Sequence, residues 1–157
     1  RVLSTLLAEL SGVATSGCAA TVFTIGATNA PWLMDSAALS RFGRRILVPL
    51  PDRAARRAIL EIHLCGKGHE LDLSLDRLVA ETAGLSGRQL AHLAADAVQQ
   101  MVAQCNPDLA DVAANASAAL DTYQIRTRPL CWSDFEILLA KTKPDTTWES
   151  LRRYESW

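Results

Sequence analysis

The sequence contains no long apolar run: nothing in its 157 residues approaches the ~20 that a membrane-crossing helix needs. Its N-terminus lacks the charged, then apolar, then small layout of a secretory leader, so no targeting signal can be read. It also lacks an excess of one charge. Sixteen basic residues stand against seventeen acidic ones, which argues against a non-specific polyanion binder, and direct contact with nucleic acid is not expected. Paired cysteines are missing too. Cys18, Cys65, Cys105 and Cys131 are scattered, with no C-x-x-C and no histidine at metal-ligand spacing, so neither a zinc site nor a disulfide framework is suggested. Reduced thiols in a cytoplasmic or nuclear compartment are the default, with peripheral attachment to a membrane left open. No internal repeat is visible. The chain has no initiating Met and opens on "RVLSTLLAEL", where Val2, Leu3, Leu6, Leu7 and Leu10 form a helical stripe already in progress, with no capping residue before it. The sequence is therefore expected to be a piece of a longer protein.

What is present is core-forming material: 49% of residues are apolar, enough for one ordinary domain or two small ones. Strand signals are confined to the first third. Thr21 to Ile25 is a β-branched and aromatic run, and "RRILVPL" is a second, closed by Pro49 and Pro51. A short helix lies between them in "DSAALSRF", capped by Asp35 or Ser36. Beyond Asp52 the pattern is helical. Helices are predicted over Asp52 to Leu64 (Ala55, Ile59, Ile62 and His63 sharing a face), Ser74 to Thr82, Ser86 to Ala103, Ser133 to Lys141, and Trp148 to Tyr154. In the third of these, Leu90, Leu93, Ala94, Ala97 and Met101 should face inward, with Ser86 as the cap. The polar, alanine-rich stretch from about residue 104 to 130 reads as an exposed insertion.

The candidate chemistry begins at "IGATNAPW". An apolar run ends on a small, polar exit, Gly26 to Asn29, and in open parallel sheets ligands bind beyond the carboxyl ends of strands. Locally, Asn29-Ala30-Pro31 reads equally as a turn. Six basic residues fall between Arg41 and Arg57, in part within "LSRFGRR". "AGLSGRQL" places a glycine, Gly87, at the start of a helix, where backbone N–H groups are partly positive. His63, His69 and His92 lack mutual ligand spacing. Trp32, Trp132, Trp148 and Trp157 read as packing or interface residues rather than a stacking platform.

Taken in order and spacing, "RVLSTLLAELSG", "VFTIGATNAPWLMDSAALSRFGRRILVPLPDRAARRAILEIHL", "TAGLSGRQLAHLAADA" and "WSDFEILLAKTKPDTTWESLRRYESW" resemble the C-terminal half of an AAA ATPase module. The likeness is to the group containing katanin, spastin, fidgetin and the vacuolar-sorting ATPases. It covers nearly the whole chain except the alanine-rich stretch. It implies an α/β remnant, the C-terminal part of a parallel P-loop-type nucleotide-binding subdomain, over residues 1–51, followed by an all-α helical lid subdomain over 52–157.

The resemblance puts Asn29 at the sensor-1 position and Arg41, before Phe42, at an arginine finger that reaches a neighbouring subunit's ATP. Ser40 stands where close relatives carry a second arginine. Arg45 becomes an inter-subunit charge, whereas Arg44 reads as solvated. Gly87 and Arg88 fall at the turn near the adenine and ribose, with Arg88-Gln89 in place of the family's usual Ala-Asp. The implied cofactors are ATP and Mg²⁺, and the implied partners are copies of itself or related AAA subunits in a ring, a hexamer. The chain itself has no G-x-x-x-x-G-K-[ST] loop and no strand ending in an acidic pair for Mg²⁺. It is therefore expected not to hydrolyse ATP alone. The rival expectation is a non-catalytic remnant or helical interaction module that docks on related subunits.

Overall fold

In the computed structural model the described residues are Thr5, 24–109 and 123–157. The expected first helix, apart from Thr5, which is helical, lies outside them, as do residues 21–23 of the first expected strand. The chain divides into two compact units: Arg1–Val48 together with Leu151–Trp157, and Pro49–Ser150.

In the first unit the backbone leaves Ile25 and Gly26 and turns at Thr28, whose Oγ1 accepts from Ala30 N–H at 3.1 Å. A single 3-10 turn, Pro31–Leu33, follows; Pro31 suits its first position because no N–H is needed there. Asp35 caps helix α1 (Ser36–Leu39), accepting from Ala37 N–H at 2.9 Å. The expected strands are not realised among the described residues. Thr24–Ile25 and Arg44–Leu50 form no ladder, and Ile25, Ile46 and Val48 are 91%, 83% and 86% exposed. The physical reason is that an apolar, β-branched run becomes a strand only when a neighbour accepts and donates its backbone hydrogen bonds.

The second unit is built on helices α2 (Arg53–Leu64), α3 (Leu75–Glu81), α4 (Gly87–Cys105) and α5 (Trp132–Lys141), and α6 (Trp148–Glu155) begins in it. Each start carries its signal. Asp52 accepts from Ala55 N–H at 2.7 Å, Ser74 from Arg77 N–H at 3.4 Å, and Ser150 N–H donates to Thr147 Oγ1 at 3.2 Å. Ser86 and Gln89 form a reciprocal capping box at the head of α4. Gly84, just before it, adopts φ +82°, a left-handed backbone that a side chain would strain. The long α4 packs against α2 and α5. Its Leu90, Leu93, Ala94, Ala97 and Met101 are all buried, as the helical period predicts, and they meet Leu60, Leu64, Leu78, Val79, Leu130 and Phe135 in one core. Each large side chain so buried contributes roughly 1.5–3 kcal/mol.

The face of α2 differs from its expected one. Leu60 and Leu64 are buried, whereas Ala55, Ile62 and His63 are exposed. The helix is turned by Arg56, whose guanidinium donates to Val79 O (3.2 Å from Nε and from Nη2) and Pro51 O (3.1 Å). This draws the 56–60–64 row inward, with the Arg56 stem covering apolar surface. Two short strands are also new: β1 (Leu71–Asp72) and β2 (Leu130–Cys131) pair in parallel, Leu71 opposite Leu130. The ends of the alanine-rich stretch are therefore anchored rather than loose. Leu130 is fully buried, and Asn106 on the far side of the stretch is 2% exposed. Asn106 donates to Val102 O and Arg126 O at 2.7 and 2.8 Å and accepts from Arg126 N–H at 2.9 Å.

Candidate functional site

The predicted site residues fall in both units. In the first, Asn29 stands on an exposed bend at the exit of the apolar run. Its backbone carbonyl accepts a hydrogen bond from the Tyr154 hydroxyl. Arg41 lies just past α1, where its Nη1 donates to Ala37 O at 2.6 Å, a cation at the helix carbonyl end. Ser40 Oγ shares that acceptor at 2.9 Å. The next residue ties the two segments together: the Phe42 ring lies so close to Gly26 that a Cβ there would meet its Cζ at 3.2 Å. Glycine at position 26 therefore lets the Asn29 and Arg41 segments approach. Arg45 sits with its guanidinium 4.7 Å from the centre of the Trp157 ring.

The residues that sequence reasoning missed are those on the C-terminal turn. Tyr154 packs on Trp32 with ring centres 5.0 Å apart and planes inclined at 51°, and the Arg153 guanidinium lies 3.8 Å from the Trp32 ring centre. The available signal was the pair of aromatics at i and i+3, Tyr154 and Trp157, which a helical turn presents on one side.

In the second unit Gly87 is the first residue of α4, and Arg88 follows it, exposed. The Gly87 backbone is not left-handed, and a Cβ there would make ordinary 3.7 Å contact with Ile59 Cδ1. Nothing inside the fold, among the described residues, therefore requires glycine at this position. Among the described residues no group of three or more His, Cys, Asp or Glu is placed to hold a metal.

Away from these residues the second unit carries a strong ion pair. Arg128 donates from Nη1 and Nη2 to the two oxygens of Asp134 at 2.8 and 2.6 Å, and Asp134 also accepts from Cys131 N–H at 3.0 Å. The Arg128 guanidinium foremost, with help from that N–H, holds the buried carboxyl down at about 2, against the burial that opposes it. This bridge fixes the start of α5 to β2. His63 and His69, which have no ligand spacing in sequence, meet with Lys67, Val98, Gln99 and Val102 around an open cavity of about 440 Å³.

Comparison with known proteins gives this geometry its frame. Residues 1–50 match the family model described as "ATPase family associated with various cellular activities (AAA)". Human vacuolar protein sorting-associated protein 4A is 36% identical over 103 residues, 65% of this chain and 23% of that protein. The katanin p60 ATPase-containing subunit A1 of Arabidopsis thaliana is 28% identical along the whole chain, which spans 30% of it. Among solved structures, the FIGL-1 AAA domain in complex with ADP superposes with a TM-score of 0.74 at 26% identity, over 98% of this chain and 49% of that one. A katanin structure, solved in a study of its self-assembly, gives 0.65 at 27% identity over 83% of this chain and 44% of that one. The chain thus spans about a quarter to a third of these curated relatives and about half of the solved domains. Its first 50 residues match the AAA family model, and in sequence and in fold the chain is similar to the AAA ATPases of the katanin, spastin, fidgetin-like and vacuolar-sorting group.

Proposed function

We propose that these residues form the C-terminal part of an AAA ATPase that couples ATP hydrolysis in a ring, a hexamer, to the remodelling or disassembly of protein complexes. The observation that supports it best is the close packing of Phe42 on Gly26, which brings the Asn29 and Arg41 segments together in a chain alignable end to end with a katanin subunit.

On this reading residues 1–51 close the nucleotide-binding subdomain and 52–157 form its lid. Asn29 offers a neutral amide at the exit of the apolar run, able to orient a water without adding charge beside the γ-phosphate. Arg41 exchanges its Ala37 carbonyl for a phosphate oxygen of the adjacent subunit's ATP. A guanidinium supplied in trans is worth about 10³ to 10⁵ in rate in NTPases that use one. Ser40 leaves a single arginine immediately before Phe42. Arg45 contributes to the inter-subunit surface, while Gly87 and Arg88 hold the nucleotide from the helical side, the glycine by close approach and the arginine by charge. Bound Mg²⁺ neutralises developing phosphate charge; its ligands and the phosphate loop come from outside these residues. Alone, they neither bind ATP tightly nor turn it over.

The experiment compares the polypeptide carrying the phosphate loop with its Arg41→Ala and Asn29→Ala variants. Turnover falls by about 10³-fold for Arg41→Ala, with the ring intact by light scattering. Magnesium-dependent turnover by the 157-residue chain alone, insensitive to Arg41→Ala, would overturn the reading. The absence of a phosphate loop within the chain favours one alternative, a non-catalytic remnant or interaction module that docks on related subunits and donates Arg41 to them. A phosphate loop and acidic strand encoded within roughly one hundred residues upstream decides for the motor, because those groups share one sheet with Asn29.

A further inference from the structure

We infer that the C-terminal turn of this chain is a positioning clamp for the sensing loop: Tyr154, with Trp32, Arg153 and Trp157, holds the Asn29 backbone and the Arg45 side chain where hydrolysis needs them. The inference rests on the reading of Asn29 as the residue that orients water.

A side chain that orients water must be held to within about half an ångström, usually by the rigid element that carries it. Asn29 has no such element. It sits on an exposed bend, in neither helix nor strand, and among the described residues the local tie that spans it is the Thr28 to Ala30 turn. Exposed turns of this kind are soft, so an outside constraint is required.

The constraint comes from the far end of the chain. The Tyr154 hydroxyl donates to the carbonyl oxygen of Asn29 itself, 125 residues away in sequence. That carbonyl belongs to the peptide plane attached to the Asn29 Cα, so fixing it restricts ψ there and with it the place of the Cα from which the amide projects. Three residues on, Trp32, the middle residue of the 3-10 turn, is met by both the Tyr154 ring and the Arg153 guanidinium. Aromatic and cation–π contacts such as these each contribute on the order of 1 kcal/mol. The same turn ends in Trp157, whose ring lies against Arg45 beyond the arginine segment. Arg153, Tyr154 and Trp157 are spaced i, i+1 and i+4, and Ser156 N–H still donates to Arg152 O at 2.9 Å, so one turn of helix presents all three. The clamp therefore grips the chain at Asn29, at Trp32 and again beyond Arg41. A partner or modification that displaced it would slow hydrolysis without touching the nucleotide.

The test uses the ring-forming polypeptide and the Tyr154→Phe variant, which keeps the ring on Trp32 and removes only the hydroxyl. We expect kcat for ATP to fall about five- to tenfold, the effect of one lost hydrogen bond, with KM within about twofold and ring size unchanged by light scattering. In an Asn29→Ala background the same substitution should cost nothing further, because its route of action is gone. Wild-type kcat in Tyr154→Phe alongside an impaired Asn29→Ala overturns the clamp and leaves the sensor reading standing. An equal loss in both backgrounds also overturns it, since Tyr154 then acts independently of Asn29. Full turnover by Asn29→Ala overturns the sensor reading and the clamp with it. Trp32→Leu provides a second probe, expected to lower kcat in the same direction and, again, not additively with Asn29→Ala.

Discussion

The two units differ in where they put their apolar side chains. In the helical unit Leu60, Leu64, Leu78, Leu90, Met101, Leu130 and Phe135 are all fully buried. In the described part of the other unit only Pro31 and Ala38 are buried, and Ile25, Leu33, Ile46 and Val48 stand exposed. The first arrangement is closed: helix starts are capped, the ion pair Arg128–Asp134 is satisfied, and the core needs nothing more. The second is open. Its apolar runs await a neighbouring strand, and its polar side chains, Asn29 and Arg41, face outward. The large buried apolar side chains are thus concentrated in the helical unit, whereas the described part of the other unit leaves its apolar runs exposed.

This contrast can be broken in several ways. The largest effect should come from the open unit, where Arg41→Ala lowers the turnover of the polypeptide carrying the phosphate loop by about three orders of magnitude while changing the thermal transition of the 157-residue chain little. Phe135→Ala, in the closed core, should do the reverse, costing about 3–5 kcal/mol in urea-unfolding stability. Next is Asp134. Its folded carboxyl titrates at about 2, below the ordinary 3.8, so its contribution is fully present above about pH 5 and is lost as pH falls toward 2. Asp134→Asn should cost about 3 kcal/mol at pH 7 and flatten the acid limb of the stability profile, measured by urea titrations from pH 7 to 3. The smallest effect belongs to the exposed run. Ile46→Ser with Val48→Ser should change the stability of this chain by no more than about 0.5 kcal/mol. In the polypeptide that pairs this run as a strand, the same double change should cost several times more.

How far each unit was legible follows from the range of the interactions that built it. Capping and helical period act over three to seven residues, and they located Asp52, Ser74 and Ser86 as helix starts and all five buried residues of α4. The inward face of α2 was misread because an arginine at position 56 found carbonyl acceptors at Val79 and Pro51, which no local period reveals. β1 and β2 were invisible because two-residue strands have no periodicity and join residues about sixty positions apart. Strand propensity was correctly high at Ile46 to Val48, yet propensity supplies no pairing partner.

For the candidate site, Asn29, Arg41, Arg45, Gly87 and Arg88 could be named from the order of motifs along the chain. What each touches could not. By itself the sequence determined the helices of the helical unit, the caps at Asp52, Ser74 and Ser86, the inward face of α4 and the family likeness, because these depend on short-range spacing and on the order of segments. Only the tertiary structure decided that the Phe42 ring closes on Gly26 and that the C-terminal turn reaches Asn29, Trp32 and Arg45. Contacts that cross more than a hundred residues are selected by packing in three dimensions, where chain separation leaves no trace in local pattern.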